Sequence, residues 1–331
     1  MTARTISFVI PVYRNERAIT LSYQKIRQLL ATQLGSYDYE FVFVDDGSDD
    51  GSLAELLGLR ARDPRVRVIS FTRNFGQMAA ILAGLRAATG DLVLHMSADL
   101  QDPVELIPRM VQAEEAGSEV VVAYRAERED RWTSRLTSRM FYGIIRLSFP
   151  QLPAGGFDYV LLSRRVVDVF NSIDVRNRFF QGDLLWLGYK TTFIPYTRMK
   201  RTIGRSQYTF AKRIKNSLDA ILDSSYLPIR FISAVGALVA LAGFLYALNI
   251  AYWRLRYGLA FPGQAPIMIL ILGIGGILML MLGIVGEYVW RIYDEVKHKP
   301  NYIVREEYGA DPVPRMRSSL DSGTRRESER T

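Results

Sequence analysis

The 331-residue chain has no cysteine and only two histidines. The first absence excludes disulfides and thiolate chemistry, and the second leaves too few imidazoles for a histidine-rich zinc centre. Any bound metal must therefore use oxygen ligands, which select Mg²⁺ or Mn²⁺. Two phosphate-binding loops are missing as well. No Gly-x-Gly-x-x-Gly follows the first apolar run and no Gly-x-x-x-x-Gly-Lys-Ser/Thr occurs anywhere, which disfavours a dinucleotide fold and a P-loop. Arg4 is followed only by Thr5 to Tyr13 before charge returns, with no small-residue cleavage pattern, so no secretory leader is expected. The basic residues lack an aromatic-and-glycine RNA-binding pattern, and nucleic acid is not expected as a partner.

What is present is a folded composition, 49% apolar and 23% charged, with a net charge of +8. Basic residues thicken over 198–215 and in the C-terminal tail, on either side of the most apolar part of the chain, as at a membrane surface. Phe231–Trp253 gives 23 consecutive uncharged residues and Tyr257–Gly286 gives 30 more. Each exceeds the ~20 residues that cross a bilayer core as a helix. Lys and Arg number four in Ala211–Arg230, two in Arg254–Ala265 and four in Glu287–Glu306, which puts both long ends in the cytoplasm. The expected organisation is a cytoplasmic domain over 1–210, an amphipathic juxtamembrane segment over 211–230, transmembrane helices at 231–253 and 265–289, and a cytoplasmic tail over 290–331. That amphipathic segment, read over Phe210–Leu227, has an ordinary surface helix as its alternative. Beyond Pro312 the Ser-, Arg- and Glu-rich tail is expected to be disordered.

Within the first domain, β-type runs at Ile6–Ile10, Glu40–Val44, Val66–Phe71, Asp91–Met96 and Glu119–Ala123 alternate with helical stretches near 16–34, 51–61, 76–89 and 104–116. That order predicts an α/β fold with a mainly parallel sheet. Ligands of such sheets sit beyond the carboxyl ends of the strands. Those ends carry Pro11, Tyr13 and Glu16; Asp45 and Asp46; Arg73 and Asn74; Ser97, Asp99 and Gln101; and Arg125. Carboxylates and arginines converging on one rim fit a metal–phosphate ligand. In extended chain, residues two apart point the same way, so Asp99 and Gln101 can reach one cation. Mg²⁺ or Mn²⁺ held by so few protein ligands keeps positions for phosphate oxygens and water. Asp45 and Asp46 repel phosphate, so a ribose hydroxyl or a base N–H is their expected partner; capping the turn into the helix at Gly51 is the alternative.

The blocks "FVIPVYRNE", "FVFVDDGSDDGS", "NFGQMAAILAGL", "GDLVLHMSADLQDP", "GFDYVLLSRRVVD" and "RTIGRSQYTF", in that order and spacing, resemble the family 2 glycosyltransferases that charge polyprenyl phosphates. These include dolichyl-phosphate mannose synthases and bacterial undecaprenyl-phosphate glycosyltransferases, whose bacterial branch also carries two C-terminal membrane helices. The resemblance implies a GT-A domain that transfers one sugar, with inversion, from a nucleotide sugar to undecaprenyl phosphate at the cytoplasmic face of the bacterial inner membrane, for envelope glycan modification. It implies that Pro11, Tyr13, Val44 and Asp46 hold the nucleoside, with Glu16, Asp45 and Ala98 beside them. Asp99 and Gln101 would hold the metal, and Arg125 would reach the diphosphate. Arg201, Arg205 and Ser206 would bind the donor and acceptor phosphates. Asp158 matches the carboxylate that assists the acceptor, with a helix or turn cap as its alternative role. A homo-oligomer is compatible with the same resemblance.

Two positions depart from the family pattern. Ser97-Ala98-Asp99 stands where Asp-x-Asp is usual, so the metal either binds more weakly or leans on Asp102. Gln207 stands where lysine often follows the serine, and Arg205 is the candidate to replace its charge. The expected donor is UDP-glucose or another UDP-hexose, the alternative being GDP-mannose. A processive polysaccharide synthase would need more membrane spans and a Gln-x-x-Arg-Trp block, which "LWLGYK" does not supply. A catalytically silent membrane scaffold would have no use for Asp99, Gln101, Arg125 and Arg201 together.

Overall fold

The computed structural model describes residues 3–99, 101–125, 146, 149–153, 156–173, 178–197, 227–257 and 265–309. Strands β1 (Thr5–Val12), β2 (Asp38–Asp45), β3 (Val66–Phe71), β4 (Leu92–His95) and β5 (Val120–Arg125) alternate with helices α1 (Ala18–Gln33), α2 (Ser52–Arg62), α3 (Gln77–Ala87) and α4 (Ile107–Glu115). These agree with the sequence expectation to within a few residues. The β-branched and aromatic runs are buried on both faces, as a sheet covered by helices on both sides requires. Three further strands, β6 (Tyr159–Ser163), β7 (Thr191–Tyr196) and β8 (Val304–Tyr308), and two short helices, α5 (Arg164–Ser172) and α6 (Phe180–Trp186), were not anticipated.

The eight strands lie in the order β7-β5-β6-β4-β1-β2-β3-β8. Pairs β1–β2, β1–β4, β2–β3 and β5–β7 are parallel; β6 runs antiparallel between β4 and β5, and β8 antiparallel against β3. Phe8, Phe41 and Phe43 stack on the face covered by α1, α2 and α4. Val9, Val42 and Val44 face α3, α5 and α6. At the amino ends of the strands the half-buried Glu40 carboxylate accepts hydrogen bonds from Ser7 Oγ (2.6 Å), Thr89 N (2.6 Å) and Thr89 Oγ1 (2.9 Å). That satisfied anion closes the end opposite the candidate site.

Two long apolar helices follow: α7 (Leu227–Tyr257) and α8 (Ala265–Val296). Both are long and apolar enough to cross a membrane, and they contain the expected spans 231–253 and 265–289. Large side chains such as Leu238, Phe244 and Leu282 are more than half exposed along them. The expected amphipathic segment lies almost wholly outside the described residues, and the tail beyond Pro312 entirely so. After α8 the chain returns to the sheet. Val304, the first residue of β8, pairs with Phe71 at the carboxyl end of β3, and Tyr302 stacks on the Phe71 ring at 4.9 Å. Thr72 N donates to Ile303 O at 3.0 Å, and Arg305 donates to Thr72 O at 3.0 Å. The last apolar helix thus joins the domain from the side of the parallel strands' carboxyl ends.

Helix α3 approaches β1 because Gly84 has no side chain: a Cβ there would sit 2.3 Å from Val9 Cγ1. Gly84→Ala gains about 1 kcal/mol of helix propensity but must push α3 away from a stiff β-branched neighbour, at about 1–3 kcal/mol. We expect a net destabilisation of up to about 2 kcal/mol, read as a lower denaturation midpoint with an unchanged denaturant slope.

Candidate active site

The strand order reverses beside β1. The chain lays β2 and β3 on one side of it, then places β4 on the other, and loops leaving β1 and β4 must diverge. The crevice left between them at the carboxyl ends is where ligands of open α/β sheets bind. Pro11 and Tyr13 leave one side of this crevice, and Ser97, Ala98, Asp99 and Gln101 leave the other.

On the first side, Pro11 pairs with Val44 across β1–β2, and Asp46 N donates to Val12 O at 2.9 Å. The loop after β1 holds Arg14 and Arg17 at φ 53° and 71°, a left-handed conformation that costs each of them about 1–3 kcal/mol. Hydrogen bonds from Arg14 N to Ser48 Oγ (3.1 Å), Asn15 N to Ser52 Oγ (2.9 Å) and Arg17 N to Glu55 Oε2 (2.7 Å) hold it there. Tyr13 is half-buried at the rim, and the Glu16 carboxylate lies over Gly51. Gly47, at φ 67°, lies so close to Arg73 that a Cβ would meet its carbonyl carbon at 2.4 Å. Only glycine fits between the two aspartates and the β3 loop.

Those aspartates are buried and engaged. Asp45 accepts from Ser48 N (3.1 Å) and Ser70 Oγ (3.3 Å). Asp46 accepts from Phe75 N (2.6 Å) and Gly76 N (2.9 Å), joining the β2 and β3 loops at the start of α3. The proposed cap at Gly51 is therefore not what Asp46 does. Burial pushes its carboxyl up to about 6, the two N–H donors working against that rise and the neighbouring Asp45 charge adding to it.

On the second side, Ser97 Oγ approaches Asp102 Oδ2 at 2.5 Å and Asp99 Oδ1 at 2.9 Å. A hydroxyl has one hydrogen, and the shorter contact assigns it to Asp102. Asp99 Oδ1, which also receives Gln101 N–H at 3.2 Å, then faces the hydroxyl's lone pairs. A cation would relieve that arrangement. Among the described residues no three His, Cys, Asp or Glu side chains form a metal cluster. The donor set here, one carboxylate, one amide and one hydroxyl, fits a hard divalent ion that takes most of its ligands from phosphate and water. Asp102 turns both oxygens to protein donors. Buried to 2% exposure, it spends one oxygen on Ser97 and the other on Tyr196 OH at 2.8 Å.

Because β6 runs antiparallel, its first residue emerges at the same rim and carries Asp158 just before it. Asp158 is half-exposed and lies 3.6 Å from the mostly buried Arg125 guanidinium at the end of β5. Beside them His95 Nδ1 meets Val9 O at 3.2 Å, and burial lowers the imidazole's pKa, keeping it neutral. The described residues expected at the site thus stand at or beside this rim, except that the Val44 side chain is buried in the core against α3. Arg201, Arg205, Ser206 and Gln207 fall outside the described residues. Tyr196 was missed: the Pro195 beside it obscured β7, although the alternation in "TTFIPY" was a usable signal.

Residues 7–181 match the family described as "Glycosyl transferase family 2". The SfII prophage-derived bactoprenol glucosyl transferase of Shigella flexneri is 36% identical over 309 residues, 93% of this chain and 99% of its own. An uncharacterized glycosyltransferase of Bacillus subtilis (strain 168), YkcC, is 36% identical over 307 residues, 92% of this chain and 94% of its own. Among solved structures, mannosyl-3-phosphoglycerate synthase from Rubrobacter xylanophilus has a TM-score of 0.50 and 20% identity, covering 71% of this chain and 75% of its own. That last likeness concerns the fold.

Asp46 generates a pH prediction. Its folded-state value of about 6 exceeds the ordinary 3.8, so between those values the folded chain holds a proton that the unfolded chain has released. This residue therefore makes stability fall as pH rises from about 4 to about 6. Asp46→Asn should flatten that fall, even if it lowers stability at every pH; melting temperatures of both proteins at pH 4.5 and 6.5 measure it, and parallel curves would refute it.

Proposed function

The chain belongs to glycosyl transferase family 2 and has a GT-A-like fold, and from that premise we propose that it moves glucose from UDP-glucose to undecaprenyl phosphate at the cytoplasmic face of the bacterial inner membrane. The observation that carries this reading is one of position. The crevice between β1 and β4 opens at the carboxyl ends of the strands, and α8 joins the domain from that side. Covering most of both chains, the bactoprenol glucosyl transferase of Shigella flexneri supports the choice of sugar and acceptor. Exposed Leu, Phe and Ile along α7 and α8 support insertion in lipid, since so large an apolar surface is not left open to water. Tyr252 and Trp253 near one end of the pair, and Trp290 and Tyr293 near the other, suit the two membrane interfaces.

Each group at the rim then has a task. Tyr13, Asp45 and Asp46 border the nucleoside on the β1–β2 side, the loop being fixed before the ligand arrives. Asp99 and Gln101 would hold Mg²⁺ or Mn²⁺, which when bound neutralises charge gathering on the departing nucleoside diphosphate. Arg125 reaches the same diphosphate with a planar donor fork. Asp158 orients the acceptor. It has little proton to remove, because a phosphate monoester is already largely ionised at pH 7, with a second pKa near ~6. Arg201, Arg205 and Ser206 complete the phosphate contacts in this reading, and the attacking lipid oxygen enters opposite the leaving group, giving inversion.

The test uses full-length protein in lipid nanodiscs with undecaprenyl phosphate, labelled UDP-glucose and Mn²⁺ or Mg²⁺. Label should pass into the lipid fraction, with UDP-glucose preferred over GDP-mannose. Asp99→Ala should lower turnover on the order of 10²-fold or more, with an unchanged melting temperature. Transfer from GDP-mannose alone would overturn the donor assignment, and full activity of Asp99→Ala would remove that residue from the site.

A further inference from the structure

We propose that Tyr196 and Asp102 are positioning residues, forming a tie that holds the Arg125 guanidinium and the Asp99 loop in fixed relation for the donor's diphosphate; the proposal rests on the donor-site reading above. Arg125 and Tyr196 are register partners at the last positions of β5 and β7. The Arg125 guanidinium lies against the Tyr196 hydroxyl, which favours its charged form. That hydroxyl in turn donates to Asp102 Oδ1 at 2.8 Å. Asp102 Oδ2 receives Ser97 N at 3.1 Å and Ser97 Oγ at 2.5 Å, and Ser97 Oγ stands 2.9 Å from Asp99 Oδ1. A single line of contacts therefore runs from Asp158 through Arg125, Tyr196, Asp102 and Ser97 to Asp99.

Three features argue that this line does more than fill the core. Asp102 is a buried carboxylate with no direct salt bridge among the described residues, an expensive choice where a neutral residue could pack. Its two oxygens accept three hydrogen bonds, two from Ser97 on its own loop and one from Tyr196 at the end of β7, so it fixes the separation of two segments far apart in sequence. Arg125 is held from two sides, by Asp158 at 3.6 Å and by Tyr196 OH. If the hydroxyl were lost, the attraction to Asp158, already the larger of the two, would act without that counterweight. The guanidinium would then turn toward the acceptor side and away from the diphosphate.

Tyr196→Phe removes only the hydroxyl and keeps the ring that packs edge-on against Tyr159 at 6.2 Å and 85°. Calorimetric titration of the full-length protein with UDP-glucose and Mn²⁺ should give a Kd about 10-fold weaker for this variant, the size expected for one hydrogen bond to a charged group. The donor KM should rise equally, while kcat and the lipid KM stay within about twofold. Because both substitutions cut one line, Tyr196→Phe combined with Asp102→Asn should lose no more affinity than Asp102→Asn alone. A merely structural role would instead lower the melting temperature and leave the donor KM unmoved. Wild-type binding with an unaltered Kd in Tyr196→Phe, or fully additive losses in the double variant, would overturn the tie alone. Failure of the wild type to bind UDP-glucose would overturn the donor-site reading and the tie with it.

Discussion

A sheet buried on both faces leaves only the ends of its strands for chemistry, and here the reversal of strand order beside β1 decides which end. Parallel strands deliver their following loops to one edge, and the step from β3 across to β4 parts those loops above β1. Everything polar that matters follows from that parting. The antiparallel β6 is part of the same constraint. Inserted between β4 and β5, it begins where they end, so Asp158 reaches the rim from a strand running the opposite way.

Among the described residues, the rim collects more carboxylates than basic groups. Asp45, Asp46, Asp99 and Asp158 gather there with Arg73 and Arg125, and Asp102 lies just beneath. The two aspartates after β2 are quieted by backbone N–H groups, which fix a loop without adding positive charge. Asp99 also accepts a backbone N–H, from Gln101, and lies beside a hydroxyl whose shorter contact is to Asp102. An anionic crevice suits a diphosphate only when a cation comes between them. Ser97 stands where the family resemblance would place a carboxylate, so this loop brings one negative charge fewer to the ion. Affinity for the ion should then depend on how well Asp99 and Gln101 are held, which is a matter of the loop rather than of ligand count.

How much of this was legible depended on whether a residue's partners lay nearby in sequence. Strands β1 to β5 announce themselves as runs of Val, Ile and Phe ended by polar residues, and Asp45, Asp46, Asp99 and Gln101 follow from standing just past those runs. By contrast β8 reads "VREEY", with charges where a strand pattern should be apolar. It becomes a strand only because β3 offers an open edge and Phe71 a surface for Tyr302. The role of Asp102 was equally hidden, since its tyrosine partner lies 94 positions away. Sequence could mark it only as a carboxylate beside a metal motif, not as the partner of a distant tyrosine. Asp158 owed its assignment to resemblance, because no local pattern reveals that β6 will run backwards.

The return of the chain after α8 bears on why such a protein keeps its two long helices. Seven residues separate Val296 from Val304, a span of at most roughly 25–30 Å from helix end to strand start even when fully extended. The domain is thus fastened at the carboxyl edge of β3 as well as through the segment that precedes α7. One attachment would let it tumble above a membrane. In the proposed membrane-bound arrangement, two attachments, one of them a hydrogen-bonded strand, would confine its orientation and keep the crevice on the side from which α8 arrives. An acceptor confined to a bilayer presents its phosphate at a narrow range of heights. Limiting the orientation of the donor site in advance removes entropy that each encounter would otherwise have to lose. The charged, half-exposed strand β8 would then matter to catalysis through geometry alone, by fixing where the rim points, although none of its residues stands at the rim of the crevice.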